Sequence, residues 1–578
     1  MPTASARPAA SPAAAGTPAA WPPAAPRRQW LRQVGAGLAA RALPAALGAG
    51  GLLAGCAPAP RRPPAGTAGE PPATASPDPA TEPPAGPAAA SPEPPRPPEA
   101  RDAATAADAA GDPREPPPAP REWRGAWIAS VANIDWPRRA GPDAADPATV
   151  RRLLDQAATL GLNALVLQVR PAADALYAGA LEPWSEFLSG RQGRAPRGGD
   201  PLALWVGEAH RRGLELHAWF NPFRARAAGA ASPPDPAHVS RRRPAWVRPY
   251  GRQLWMDPGE PEAAEHTLAV IEDVARRYDI DGVHVDDYFY PYPVPGPDGA
   301  DLPFPDEPAW QRYRAAGGRL ARADWRRDNV DRFVQALDAR VHALRPTLRL
   351  SISPFGIGRP SLRPPGIEGF SQYDGLYADV ERWCAEGWFD ALLPQLYWPI
   401  DAPAQAFEVL ADHWLAHNPH GRHVWPGLYA DRVGKGARPW PAEEILAQVA
   451  ALRRRPGCSG HCHFSLSVLA EDRSGLATRL ARERYRGPAL VPATPWRTGG
   501  APPPAAPRLA DDDDGWRIAP GDGRTPRRWA VWRHRAGRWH FDAPPGDQAR
   551  LPRLGAERIV ASAVDALGIE GPRSGSPG

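Results

Sequence analysis

Between Arg121 and Tyr485 the chain alternates eight times between a short apolar strand and a longer amphipathic helix, and this alternation constrains the fold more than any other feature. The strands are expected at 124–131, 163–169, 214–220, 282–286, 348–353, 389–397, 423–429 and 460–466. Helical periodicity covers 147–160, 201–212, 261–278, 326–344, 376–386, 403–416, 442–454 and 468–484. Eight such repeats call for a closed parallel (β/α)8 barrel over 121–486, in which groups at the carboxyl ends of the strands share one mouth. A doubly wound open sheet would need fewer units and usually a Gly-rich phosphate loop, and no such loop follows any strand.

Alternation within each strand separates the two faces, because the apolar set must meet the helices. In the fourth strand Val283 and Val285 take the helix side, which turns His284 and Asp286 to the axis. The same parity makes Gln168, Arg170, His217, Trp219, Asn221, Gln395 and Tyr397 axial. A purely structural interior would repeat Val, Ile and Leu, so these polar residues point to a pocket.

The sharpest motif is Asp281-Gly-Val-His284-Val-Asp286-Asp287-Tyr288-Phe289-Tyr290-Pro291, where two adjacent carboxylates end a strand and aromatic residues follow. Glycosidic cleavage needs a proton donor for the leaving oxygen and a second negative group to stabilise an oxocarbenium-like transition state. Asp286 and Asp287 fit those roles, and their mutual repulsion favours keeping a proton on one of them. Loop capping and metal binding are the competing readings of the pair. Asp135 and Asp174, after the first and second strands, are further carboxylates that could reach the mouth. Trp136, Trp184, Trp219, Tyr288, Tyr290, Tyr397 and Trp398 lie on or just after strand ends, where ring faces can stack on sugars. Asn221, Gln395 and Arg170 supply hydrogen bonds, and His284 completes the candidate substrate-contact set.

Several motifs in chain order carry a family likeness: Arg124-Gly-Ala-Trp127, Asn133-Ile-Asp135-Trp136-Pro137, Gln168-Val-Arg170-Pro171 and Leu216-His217-Ala-Trp219-Phe-Asn221-Pro222. The Asp281 to Pro291 motif, Trp325-Arg-Arg-Asp-Asn-Val330, Ile352-Ser-Pro-Phe-Gly356 and Pro394-Gln395-Leu-Tyr397-Trp398 continue it. Through them the chain resembles the bacterial glycosyl hydrolase-like family 10 lipoproteins, which are TIM barrels. The resemblance implies a glycoside hydrolase of the cell envelope acting on peptidoglycan glycan strands, with Asp286 and Asp287 as its catalytic pair. The alternative is a tethered glycan-binding or scaffold protein without turnover, since axial aromatics serve binding as well as catalysis.

The amino-terminal fifth is of another kind. It holds 29 of the 78 prolines, and residues 57–120 contain no Val, Ile, Leu, Met, Phe, Tyr or Trp, so nothing there offsets an ordering entropy of roughly 1–2 kcal/mol per residue. A disordered tether is expected over 57–120. Before it, Arg27-Arg28-Gln29-Trp30-Leu31 and Leu53-Ala54-Gly55-Cys56 resemble a twin-arginine export signal and a lipobox, which implies a signal over 1–56 and a lipidated Cys56. Ala57 after the cysteine resembles lipoproteins passed to an outer membrane, so an anchor there facing the periplasm is expected.

After a linker at 487–508, short alternating strands over 509–570 predict a small fibronectin type III-like β-sandwich, which could bind envelope partners, and a disordered tail at 571–578. The formal charge of +5 comes from 68 Arg and the single Lys435 spread among 64 acids, with no aromatic-interleaved basic stretch, so nucleic-acid binding is not expected. Cys458-Ser-Gly-His461-Cys462-His463 has ligand-type residues but lies along the eighth strand, so a disulfide or two free thiols are expected there rather than zinc. No cofactor is expected. Asp511 to Asp514 reads as a solvated acidic loop.

Overall fold

The computed structural model describes residues 115–576, Ala180 excepted. Parallel pairing runs from the first strand (Trp123–Ile128) through the second (Ala164–Arg170), third (Glu215–Phe220), fourth (Gly282–Val285) and fifth (Arg349–Ile352). It continues through the sixth and seventh to the eighth (Gly460–His463), which pairs back onto the first. The barrel is therefore closed, as the eightfold repeat predicts.

The sixth and seventh strands differ from the expected continuous runs. The sixth is split into Ala391–Leu392 and Gln395–Leu396, the seventh into His423–Val424 and Gly427–Leu428. Pro394 and Pro426 stand in the gaps, and a proline nitrogen has no hydrogen to give to the ladder. The last helix is also broken. Leu466–Ala470 is followed by Asp472 and Ser474 at φ of 45° and 54°, and helix resumes only at Leu476–Arg479. The helices Pro147–Leu160 and Pro201–Arg211 start sharply because Asp146 and Asp200 accept two backbone N–H bonds each and a proline follows.

The two faces of the strands separate as parity requires. Leu165, Leu167, Val169, Val283, Val285 and Leu350 join the large core under the helices. Trp123, Trp127, Val166, Trp219, Trp425 and Cys462 form an axial cluster, with Trp123 stacked on Trp425 at 4.3 Å and 2°. At the base of the barrel Arg349 donates to Glu215 at 2.8 Å, and His217 meets the same carboxylate at 3.1 Å.

Two insertions are absent from the sequence reading. A three-stranded ribbon, Arg224–Arg226, Val247–Tyr250 and Gln253–Met256, follows the third strand, and a helix, Glu307–Ala315, follows the fourth. The ribbon supports the loop beyond the fourth strand, where Trp255 Nε1 donates to the Phe289 carbonyl at 2.9 Å.

The carboxyl-terminal segment forms two antiparallel sheets, one of three and one of four strands, around Trp516, Trp529, Val531, Leu551 and Ile559. Ser574–Gly575 is an edge strand on Val560 and Ala561, so ordered chain continues into the expected tail. The expected acidic loop is a hairpin: Asp511 and Asp512 belong to the strand Arg508–Asp512, and Asp511 pairs with Arg553 at 2.9 Å. The linker is not free chain either. Thr494 accepts from Arg349 at 2.9 Å, and Trp496 Nε1 donates to Asp390 at 2.8 Å. The last residues of the expected tether pack as well, since Arg573 donates to the Pro116 carbonyl at 2.8 Å and Leu490 to that of Pro120 at 2.8 Å. The expected signal at 1–56 with Cys56, and the tether up to residue 114, lie outside the described residues. Among the described residues no helix is long and apolar enough to cross a membrane.

Candidate active site

The fourth strand ends at Val285, and the next two residues place a carboxylate each at the mouth. Asp286 is 3% exposed; its Oδ2 accepts from Trp219 Nε1 at 2.8 Å and Asn221 Nδ2 at 3.2 Å, both from the end of the third strand. Asp287 is 2% exposed and turns to the other neighbours. It accepts from the Tyr292 hydroxyl and from the Gln395 amide, which also donates to the Ser353 carbonyl at 2.9 Å. Consecutive carboxyls are thus held towards opposite sides of one mouth.

Burial pushes Asp286 up to about 7, the Arg224 guanidinium opposing the rise and the Asp287 charge adding to it. Burial likewise pushes Asp287 up to about 6, against the bonds from Tyr292 and Gln395. The pair therefore holds a proton at a pH where an isolated Asp would be ionised. Tyr292 is pushed well above the ordinary phenol value by burial and by Asp287, so its hydroxyl stays a donor.

Around the carboxyls stand Trp219, Asn221, Tyr288, Gln395 and Tyr397, all expected at the mouth. Tyr288, Gln395, Tyr397 and Trp398 are half-buried. Tyr397 feels the charge of Asp287, and Trp398 meets Phe355 edge-on at 5.6 Å.

Several expected contacts fall elsewhere, Tyr290 among them, sealed in the core and edge-on to Tyr377 at 4.9 Å. Arg170 is completely buried, forked onto Glu182 at 2.8 and 2.5 Å with a third donor on the Asn221 carbonyl at 2.7 Å, so it holds the Asn221 turn and has no face for substrate. His284 is buried below the carboxylates among Trp127 Nε1 at 3.1 Å, Ser351 Oγ at 2.8 Å and Ser353 Oγ at 3.0 Å, and burial keeps it neutral. Asp135 ties the first strand to the eighth, accepting from Ala129 N at 2.8 Å and Ser465 Oγ at 2.5 Å. Asp174 is buried behind the second strand, where Gln192 donates to it at 3.0 Å and burial pushes it up to about 7. Trp136 is a core residue, edge-on to Trp205 at 5.2 Å.

Sequence reasoning missed Arg224 and Tyr292 as parts of the site. Arg224 N donates to Asn221 Oδ1 at 2.9 Å, its Nε to the Pro171 carbonyl at 2.9 Å, and its guanidinium lies 4.9 Å above the Tyr288 ring. The available signal was its position three residues after Asn221, where an Asn side chain commonly closes a turn.

Cys384, Cys458 and Cys462 are free thiols, which decides between the two expectations for the Cys458 motif. His461 and His463 point away from the axis, both onto the Tyr485 hydroxyl at 2.5 and 2.8 Å. Among the described residues no three His, Cys, Asp or Glu gather as a metal site would require.

A family model described as Glycosyl hydrolase-like 10 matches residues 122–440, more than half of the chain. The chain belongs to that family. Among curated proteins, Glycosyl hydrolase YngK of Bacillus subtilis is 39% identical over 407 residues, 68% of this chain and 78% of that protein. Glycosyl hydrolase DigH of Escherichia coli K12 is 31% identical over 391 residues, 63% of this chain and 87% of that protein. Among solved structures, the catalytic domain of β-amylase from Paenibacillus polymyxa aligns with a TM-score of 0.43 at 12% identity, over 64% of this chain and 99% of that one. The PgaB glycoside hydrolase domain of Bordetella bronchiseptica aligns with a TM-score of 0.41 at 15% identity, over 62% and 98%. The motif-level resemblance and the family match agree, and both cover the third, fourth and sixth strands, whose ends hold the two carboxyls and their partners.

Proposed function

We propose that this member of the glycosyl hydrolase-like 10 family is a lipid-anchored glycoside hydrolase that cuts envelope polysaccharide, with peptidoglycan glycan strands as its substrate class. The observation that carries the reading is the pair of buried, adjacent carboxyls, both raised towards neutrality and each held by its own donors. One carboxyl in its acid form protonates the leaving oxygen. The other, ionised, faces the developing positive charge at the anomeric carbon. Ordinary retaining pairs flank the scissile bond at ~5 Å from separate strands, whereas these side chains leave consecutive residues. On a 2-acetamido sugar the geometry suits a division in which one carboxyl orients the acetamido oxygen as internal nucleophile and the other acts as acid. Trp219, Tyr288 and Tyr397 offer ring surfaces for the sugar, and Asn221 and Gln395 fix the carboxyls that act on it.

Envelope location rests on the basic pair, the apolar run, the Leu-Ala-Gly-Cys56 motif and the proline-rich stretch, in the order that export, lipidation and projection require. The chain lacking residues 1–56 is expected to release soluble fragments from purified glycan strands. Release unchanged in both Asp286→Asn and Asp287→Asn would remove the pair from the mechanism. Retention on the strands with no fragments from wild type would favour the binding or scaffold reading.

A further inference from the structure

Resting on the hydrolase reading, we propose that Tyr397, Tyr429 and Trp440 form a second sugar-stacking subsite beyond the acid pair, so that the mouth takes an internal stretch of a polymer chain rather than a single terminal unit.

Gly427 is axial, because a Cβ there would run into Trp127 at 2.9 Å, and Leu428 faces the helix-side core. Tyr429 is therefore turned to the axis at the mouth. Leu396 is likewise on the helix side, which turns Tyr397 inward, and Cys462 lies in the axial cluster, which does the same for Phe464. Three consecutive barrel strands thus end in an inward aromatic residue. The rings meet: Tyr397 and Tyr429 stack at 4.7 Å and 20°, with Phe464 behind them at 5.9 and 6.3 Å. Trp440 stands edge-on to Tyr429 at 6.2 Å and 86°.

All four rings are half-buried rather than sealed, although much of the neighbouring aromatic core is sealed. Trp440 is fixed in place, since its N–H donates to the Arg432 carbonyl at 2.9 Å and its carbonyl accepts from Gly434 at 3.1 Å. The wall meets the acid pair at Tyr397, beside Gln395, which bonds Asp287, while Trp219 donates to Asp286 at 2.8 Å from the third strand. Flat, pre-positioned rings suit the apolar faces of pyranoses, and rings at the third strand together with these at the sixth and seventh suit a chain lying across the mouth.

The test compares kcat/KM on peptidoglycan glycan strands fractionated by length, using the full chain and its Tyr429→Leu and Trp440→Leu variants, which keep apolar bulk but remove the flat ring. In wild type kcat/KM is expected to rise with strand length. In each Leu variant the long-to-short ratio is expected to fall roughly five- to tenfold, and Trp440→Phe to restore most of it. An unchanged ratio in both Leu variants, with melting temperatures at the wild-type value, would overturn the subsite. If wild type cuts no strand of any length, the hydrolase reading fails separately. The subsite is then decided by fluorescence titration with the longest strands, where binding weakened in Trp440→Leu supports it and equal binding overturns it.

Discussion

Asp286 and Asp287 are adjacent in sequence but differ in what holds them, two N–H donors from the third strand against a phenol and a side-chain amide. Replacing either by Asn removes an acid or a counter-charge, and kcat on glycan strands is expected to fall by about 10²–10⁴, read by reducing-end assay. Because one proton must stay on the pair, activity is expected to peak between about 6 and about 7 and to fall on both sides. Both carboxyls are raised on folding, so the folded protein binds more protons than the unfolded chain between the ordinary Asp value and about 7. Stability is accordingly lost as pH rises through that window. Asp286→Asn is therefore expected to melt higher than wild type at pH 8, by on the order of 2 kcal/mol, with the gain gone near pH 4. An equal difference at both pH values would contradict the assignment. Arg224 opposes the rise of both carboxyls, so Arg224→Met is expected to move the whole activity profile to higher pH. The Asp pair was legible because it ends a strand of clear parity. Arg224 was not, because its role depends on an Asn221 turn and a Tyr288 face that only the fold brings together.

At the scale of elements, the fourth strand is anchored at the end opposite its acids. Asp281 accepts from Leu216 N at 2.8 Å, meets His210 Nε2 at 2.8 Å, and is paired with Arg527 of the carboxyl-terminal domain. Asp281→Ala would leave these donors without their buried acceptor and is expected to destabilise the protein by about 3 kcal/mol or more in a denaturant melt. A loss of only a few tenths of a kcal/mol would mean that the base of the strand is held by packing alone. The eight strands were legible from apolar runs and parity, and Val283 and Val285 face the helices as expected. The breaks in the sixth and seventh strands were written in Pro394 and Pro426, but apolar runs continuing on both sides masked them. The three-stranded ribbon carries no comparable periodicity, since its Arg224–Arg226 strand is three residues long. His284 was placed on the correct face, but parity cannot tell a side chain open to the mouth from one absorbed by a buried partner such as Ser351, and it misplaced Arg170, which a register shift after Gln168 brings beside the helix-facing Phe220 and onto Glu182.

For the molecule as a whole, the carboxyl-terminal sheets are docked on the base of the barrel, away from the mouth. Arg527 and Arg528 bond to Asp281 and the Gly213 carbonyl, and Thr494 reaches the buried Arg349. The arrangement leaves the mouth of the barrel clear of the carboxyl-terminal sheets, and Pro116 and Pro120 pack against the same docked region. Export and acylation at Cys56 would then set where that polymer is found. Cys56→Ser is expected to abolish lipid labelling and move the protein from the membrane fraction to the soluble periplasm; unprocessed cytoplasmic protein in wild-type cells would contradict an envelope substrate. The most direct test of the central claim is reducing-end release from purified peptidoglycan glycan strands by wild type, Asp286→Asn and Asp287→Asn side by side. Wild type is expected to release soluble fragments, and each variant to lose at least about a hundredfold in release at unchanged fold. Equal release by all three would contradict the claim.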